Sequence, residues 1–216
     1  MHFRVCFHGD LDFFLRTGSG IKREFLCNRF TPVKDVIESM GVPHTEIGFI
    51  MAEDEERDFQ FLPEEGMSVH VFPITPPLDV TRPSLLRPEP FLKVHFVADV
   101  NVGKLARLLR IAGFDTAYRN SWKDSTIALV SAREERVVLT KDRNLLKRKI
   151  ISYGRLIRSV RPWDQLEEVI DFFGLRGQIV PFRRCPCCNM PLQRIPKTQI
   201  IDRIENLRRR QRNADA

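Results

Sequence analysis

Residues 96–110 read FVADVNVGKLARLLR, and this stretch decides how the second half of the chain folds. The apolar run from Lys93 to Ala98 predicts a buried strand that delivers one carboxylate, Asp99. From Val102 onward the apolar residues recur at helical spacing, and Gly113 predicts the end of that helix. Three basic residues recur on another face of it: Lys104, Arg107 and Arg110. A carboxylate at the carboxyl end of a strand, beside a basic helix, predicts a site for a cation and an anionic ligand.

The composition of the 216-residue chain is that of a folded protein with one large domain or two small ones. Its hydrophobic fraction of 43% is sufficient for ordinary cores, and no apolar run approaches the ~20 residues of a membrane span. Asp10 and Asp12 stand where a signal peptide would be apolar. Three of the five cysteines are packed into residues 185–188, which favours a reducing compartment over a disulfide framework. We therefore expect a cytoplasmic protein without a membrane partner.

Charge is distributed unevenly along the chain. Residues 1–90 hold 9 Lys and Arg against 15 Asp and Glu, a net charge of −6. Residues 91–216 hold 26 against 13, a net charge of +13. The difference predicts two modules, of which the second binds a polyanion such as RNA. For any single Lys or Arg, a solvated helix face is the alternative explanation.

The first module combines short alternating strands with one helix. Strands are predicted at residues 2–7, 21–27, 46–51, 58–62 and 67–74, and a helix at residues 31–41. Residues 33–46 and 65–73 resemble the ubiquitin-like β-grasp domain of the ThiS/MoaD type. Sulfur carriers of that fold end in a free Gly-Gly tail, whereas this module continues into Ile74-Thr75-Pro76-Pro77, so we expect no sulfur-carrier role. We assign residues 1–75 to an α+β β-grasp domain and residues 76–90, with their five prolines, to a linker.

The second module alternates strands and helices over residues 91–180, which predicts an α/β domain with a mainly parallel sheet. Asp99 and Asp142 each follow an apolar strand, and the carboxyl ends of parallel strands share one edge. Asp124 begins a predicted helix and could reach the same edge. Three such carboxylates repel one another unless a divalent cation, Mg²⁺ or Mn²⁺, stabilises them. Helix capping is the alternative for Asp124 and Asp142, but Asp99 has no comparable structural explanation.

Four motifs of this module, taken together, resemble the PIN-like RNase family known as the Mut-seven C-terminal domain. They are Phe96 to Asp99, Gly103 to Arg110, Gly113 to Thr116 and Val138 to Arg143. The resemblance implies that Asp99, Asp124 and Asp142 hold the metal. It also implies hydrolysis of RNA phosphodiester bonds that depends on Mg²⁺ or Mn²⁺. Four basic residues are the predicted RNA-binding groups: Lys104, Arg107, Arg110 and Arg143.

Residues 181–216 are predicted to form a truncated, zinc-ribbon-like segment with a basic tail. Cys185 and Cys188 match the first zinc knuckle of the same family. A tetrahedral structural zinc site needs four ligands, and no second Cys pair follows in this sequence. Three alternatives are open: the thiols bind no metal, bind zinc across a dimer, or recruit Cys187. The run Arg208 to Arg212 could bind phosphates or be a solvated tail.

Two other classes of function are compatible with the same residues. The chain could be a non-catalytic RNA-binding or ribosome-associated adaptor with an empty acidic site. It could also be a toxin-like nuclease, because the opposite charges of the two modules would let the acidic β-grasp domain dock over the basic face as an internal cover. The sequence does not predict an oligomeric state.

Overall fold

The computed structural model describes residues 2–17, 20–21, 24–28 and 31–201. No helix within those ranges is both long and apolar enough to cross a membrane. The first half forms β1 (Phe3–Phe7), β2 (Arg16–Thr17), β3 (Gly20–Ile21), β4 (Glu24–Cys27), α1 (Val33–Ser39), β5 (Ile47–Ala52), β6 (Glu55–Glu56) and β7 (Ser68–Pro73). The second half forms β8 (Phe96–Ala98), α2 (Gly103–Ala112), β9 (Thr116–Ala117), α3 (Asp124–Glu134), β10 (Val137–Thr140), α4 (Arg143–Leu146), β11 (Gly154–Leu156) and α5 (Pro162–Phe172).

The first half folds into a five-stranded sheet in the order β4-β1-β7-β5-β6, with one helix against it. The central strands β1 and β7 are parallel, and the outer pairs are antiparallel. Every second residue of β1 points into the core, which also receives the apolar face of α1. This is the β-grasp arrangement that the sequence predicts.

The predicted strand at residues 58–62 is wrong. Asp58 accepts the backbone N–H of Gln60 at 2.9 Å, which forms a turn in place of a strand. The carbonyl groups of Phe59 and Phe61 accept the first N–H groups of α1, from Lys34 and Val33. This segment therefore satisfies the free donors at the start of a helix.

The second half folds around a four-stranded sheet in the order β11-β10-β8-β9, and all its pairs are parallel. Alternate residues of β8 and β10 face opposite sides. Phe96 and Leu139 pack with α2 and α5. Val97 and Val138 pack on the other side with α3 and α4. The prediction of a mainly parallel α/β sheet is confirmed, although β8 begins at Phe96 and is shorter than the predicted strand.

The second side of this sheet shares one hydrophobic cluster with the β-grasp half. Buried polar groups join the same two halves. The Glu46 carboxylate, 2% exposed, accepts an Arg155 guanidinium N–H and the backbone N–H of Leu156, each at 2.6 Å. His44 Nε2 lies 2.8 Å from the Ile151 carbonyl oxygen. The two halves therefore meet through a contact that combines apolar packing with buried hydrogen bonds.

The proline-rich residues 76–90 pack against both halves. The backbone N–H of Leu78 donates to the carbonyl of Phe172 at 2.8 Å. The guanidinium of Arg87, 6% exposed, donates to four carbonyl oxygens. Three belong to the first half and one to the second: those of His44, Thr45, Ile47 and Ser152. Hydrogen bonds from Leu78 and Arg87, near the two ends of the segment, thus attach it to the rest of the structure.

Candidate active site

Asp99 lies at the carboxyl end of β8 and is only 3% exposed. Its Oδ1 accepts the backbone N–H of Val100 at 2.6 Å. Its Oδ2 accepts the Asn101 amide and the Thr140 hydroxyl, both at 2.6 Å. Within residues 31–201, no Lys or Arg forms an ion pair with this carboxylate. A buried carboxylate held only by neutral donors has the chemistry of a cation ligand, because a nearby positive charge would lower the cost of its burial.

Asp142 follows β10, the strand next to β8, and caps α4. Its Oδ1 accepts the backbone N–H of Asn144 at 2.8 Å, which is the N-cap hydrogen bond. Its own backbone N–H donates to the Thr140 hydroxyl oxygen at 2.9 Å. Thr140 therefore donates to the Asp99 side chain and accepts from the Asp142 backbone. The structure brings the two predicted acids into one hydrogen-bonded network.

Asp124 lies outside that network. It is the first residue of α3, and its carboxylate pairs with Arg148 at 3.9 Å, with both side chains 44% exposed. In the described part of the chain, no three His, Cys, Asp or Glu side chains come together as a metal site. The predicted three-carboxylate cluster is not assembled in this structure.

Sequence reasoning missed Thr140 and Asn101. Asn101 links the two strands a second time, because its Oδ1 accepts the backbone N–H of Lys141 at 3.1 Å. Thr140 belongs to the Thr-Lys-Asp motif that identified Asp142, so its position was a usable signal. Nothing in the local pattern marks Asn101, whose role depends on the pairing of β8 with β10.

A basic cleft of about 470 Å³ opens beside this network. Lys104 and Arg107, both predicted to bind RNA, are exposed and line it, and Lys141 adds a third positive charge. Among the residues that the structure describes, no Asp or Glu lines the cleft. The other lining residues are Val100, Asn101, Val102, Gly103, Tyr118, Val160, Pro162 and Gln165. The cleft can therefore bind phosphate groups next to Asp99 and Asp142.

Arg110 is a correction to the predicted RNA-binding set. It is 3% exposed, and its guanidinium donates to the carbonyls of Thr116, Pro186 and Cys187. An α-helix turns through about 100° per residue, so a three-residue repeat drifts by about 60° at each step. Over two steps that drift carries Arg110 from the cleft to the buried face.

Arg143, also predicted to bind RNA, contacts the β-grasp half. Its guanidinium donates to the carbonyls of Phe13 at 3.2 Å and Phe14 at 3.4 Å. It also lies over both phenylalanine rings. Arg143 is not among the residues that line the cleft of Lys104 and Arg107.

The cysteine turn at residues 185–190 docks on the same domain. Asp115 accepts Asn189 Nδ2 at 2.8 Å and pairs with Arg184 at 2.9 Å. Backbone N–H groups of Cys188 and Cys187 donate to the Cys185 sulfur and lower the pKa of its thiol. Cys185 and Cys188 have no further ligands gathered around them among residues 31–201. The predicted basic run, Arg208 to Arg212, lies outside the described residues.

Comparison with known protein families finds two matches, one for each half of the fold. A family model described as the Mut7-C RNAse domain matches residues 94–214. A second, described as Mut7-C ubiquitin, matches residues 1–79. Neither a curated protein nor a solved structure matched the chain.

Proposed function

Since this chain belongs to the Mut7-C RNase family, we propose that the carboxyl edge of its parallel sheet is where it hydrolyses RNA phosphodiester bonds. The proposed reaction depends on a divalent cation, Mg²⁺ or Mn²⁺. The observation that carries the proposal is the network in which Thr140 joins buried Asp99 to Asp142.

The two acids fit a hard divalent cation. Asp99 is buried and has no positive partner among residues 31–201, and Asp142 uses one carboxylate oxygen for its cap. One or two carboxylates, together with water and substrate phosphate, are the usual protein ligands of Mg²⁺. We propose that Asp99 and Asp142 hold the ion and that Asp124 supports it from outside. The bound ion would supply an activated water and charge stabilisation at the phosphate.

The protein's own contribution is to position the reacting groups. Hydrogen bonds from Val100, Asn101 and Thr140 fix the orientation of the Asp99 carboxylate. In the proposal, the cationic side chains of Lys104 and Arg107 bind RNA phosphates in the adjoining cleft. They would hold the scissile bond against the carboxylates without forming a covalent bond to it.

Single substitutions test this proposal. Asp99→Asn and Asp142→Asn keep the side-chain shape and are expected to reduce Mn²⁺-dependent RNA cleavage to background while the protein stays folded. Asp124→Asn is expected to cost roughly tenfold, as an outer group would. Asp54→Asn, at an exposed turn of the first half, is the matched control and should cleave as wild type does. Wild-type rates for both Asp99→Asn and Asp142→Asn would refute the proposal.

An RNA-binding adaptor is the second candidate, favoured by the basic cleft, which could bind RNA without any cleavage. The two functions differ in their dependence on metal. An adaptor would bind RNA equally in EDTA and Mn²⁺ and would never shorten it. An RNase would produce fragments only when the cation is present.

A further inference from the structure

The helix that follows Asp142 is attached at both ends to the ubiquitin-like domain, residues 1–79. α4 has only four residues, Arg143–Leu146, too few to hold its own conformation. At its start, Arg143 donates to the carbonyls of Phe13 and Phe14. Directly after its end, the Lys147 ammonium donates to the carbonyl of Glu38 at 2.7 Å. The conformation of α4 therefore depends on groups of the other domain.

Apolar packing also holds α4 against the ubiquitin-like domain. Leu145 and Leu146 are fully buried and belong to the hydrophobic cluster that the two domains share. Arg143 also lies 5.0 Å and 5.1 Å from the ring centres of Phe13 and Phe14, close enough for cation–π attraction. Each side chain of α4 apart from the exposed Asn144 thus has a contact that favours one placement of the helix.

We infer that the ubiquitin-like domain positions the carboxylate of Asp142, with Arg143 and Lys147 as positioning residues. Asp142 caps α4 through the N–H of Asn144, so a shift of α4 moves the donor that orients this carboxylate. The inference rests on the proposed function, in which Asp142 holds the cation. It gives the ubiquitin-like domain a role in ordering the nuclease site, and it assigns Arg143 to that contact in place of RNA binding.

The test compares full-length variants in one cleavage assay. Arg143→Ala should lower kcat roughly 10- to 100-fold, as expected for a misplacement of about 1 Å, and leave KM for RNA within about twofold of wild type. Arg143→Lys keeps the charge but cannot donate in a fork to two carbonyls, so its kcat should be intermediate. Lys147→Met, which keeps the apolar stem, tests the second attachment on its own should Arg143→Ala fail to fold. Arg133→Ala on the exposed face of α3 removes one positive charge elsewhere and should match wild type.

Hydrogen exchange provides a readout that does not depend on activity. The Asn144 amide, protected by its bond to Asp142, should exchange faster in Arg143→Ala and Lys147→Met than in Arg133→Ala. A raised KM with unchanged kcat in Arg143→Ala would make Arg143 an RNA-binding residue and overturn the inference. Unchanged kcat and unchanged exchange in Arg143→Ala and Lys147→Met would overturn it as well. Failure of the proposed function is distinguishable, because Asp142→Asn would then cleave RNA as wild type does.

Discussion

A single hydroxyl group, that of Thr140, connects the two acids of the candidate site. It is fully buried, donates to the Asp99 carboxylate and accepts the backbone N–H of Asp142. A valine at this position would have nearly the same shape but could make neither hydrogen bond. The geometry of both acids therefore depends on one side chain that has no place in the reaction itself.

Thr140→Val is expected to lower the free energy of unfolding by about 1–3 kcal/mol, because a buried carboxylate and a buried N–H each lose a partner. Its kcat for RNA should fall by roughly 10- to 100-fold, because Asp99 loses one of the donors that orient it. Thr140→Ser keeps the hydroxyl and should retain most of the wild-type stability and most of the wild-type kcat. Urea unfolding and steady-state cleavage measure the two effects, and a wild-type kcat in Thr140→Val would contradict this role.

At the scale of elements, one side of α2 carries the proposed RNA-binding residues and the other side carries a residue with a structural role. Lys104 and Arg107 face the cleft, whereas Arg110 is turned inward to hold the cysteine turn. Burial lowers the pKa of Arg110, but three carbonyl oxygens satisfy its guanidinium. One helix thus serves both the substrate side and the attachment of the C-terminal segment.

Lys104→Ala combined with Arg107→Ala is expected to raise KM for RNA and to leave kcat within a few-fold of wild type. The slope of log affinity against log salt should fall by about 2, since roughly one counterion-releasing contact is lost with each residue. Lys93→Ala combined with Arg133→Ala removes the same charge away from the cleft and is the control. Equal loss of RNA affinity in both double variants would show that overall charge, and not the cleft, binds RNA.

Hydrophobic periodicity predicted most elements of this fold, because it reports which face of a segment is buried. It placed Asp99 and Asp142 each at the end of an apolar strand, and the pairing of β8 with β10 brings the two acids together. It failed where a contact decides the outcome: residues 58–62 cap α1, and Arg110 donates to carbonyls of the cysteine turn. Those contacts join residues far apart in the chain, and a local pattern carries no information about them.

At the scale of the whole molecule, the two family domains share one core. Val97 and Val138 of the parallel sheet belong to the same cluster as the core of the ubiquitin-like domain. A chain without residues 1–75 would lack the residues that the first half contributes to this cluster and would leave part of it exposed to water. The contact has the character of a structural layer, which makes a removable inhibitory cover the less favoured of the original hypotheses.

Arg87 provides the sharpest test of this shared core. Burial lowers its pKa to about 10, so the guanidinium is still charged at neutral pH. Arg87→Met would leave four buried carbonyls without their donor and should lower the free energy of unfolding by roughly 2–4 kcal/mol. Arg82→Met, in the same segment but exposed, should stay within about 0.5 kcal/mol of wild type.

The same urea titration, monitored by tryptophan fluorescence and by circular dichroism, tests whether the two domains unfold together. Trp122 and Trp163 both lie in the second half, where Trp122 packs against the shared cluster, whereas far-ultraviolet circular dichroism reports on the backbone of both halves. We expect the two transitions to coincide in wild type, as they do for a single cooperative unit. Separate transitions, or wild-type stability in Arg87→Met, would contradict a shared core.

The central claim is that Asp99 and Asp142 form a metal-dependent site for RNA cleavage, and the most direct test is cleavage of a labelled RNA by the full chain. The wild-type protein should cut the RNA in Mn²⁺, stop in EDTA and resume when Mn²⁺ is returned. The Asp99→Asn, Asp142→Asn double variant should bind the RNA through its basic cleft and leave it intact under all three conditions. Cleavage by the double variant at the wild-type rate, or undiminished wild-type cleavage in EDTA, would contradict the claim.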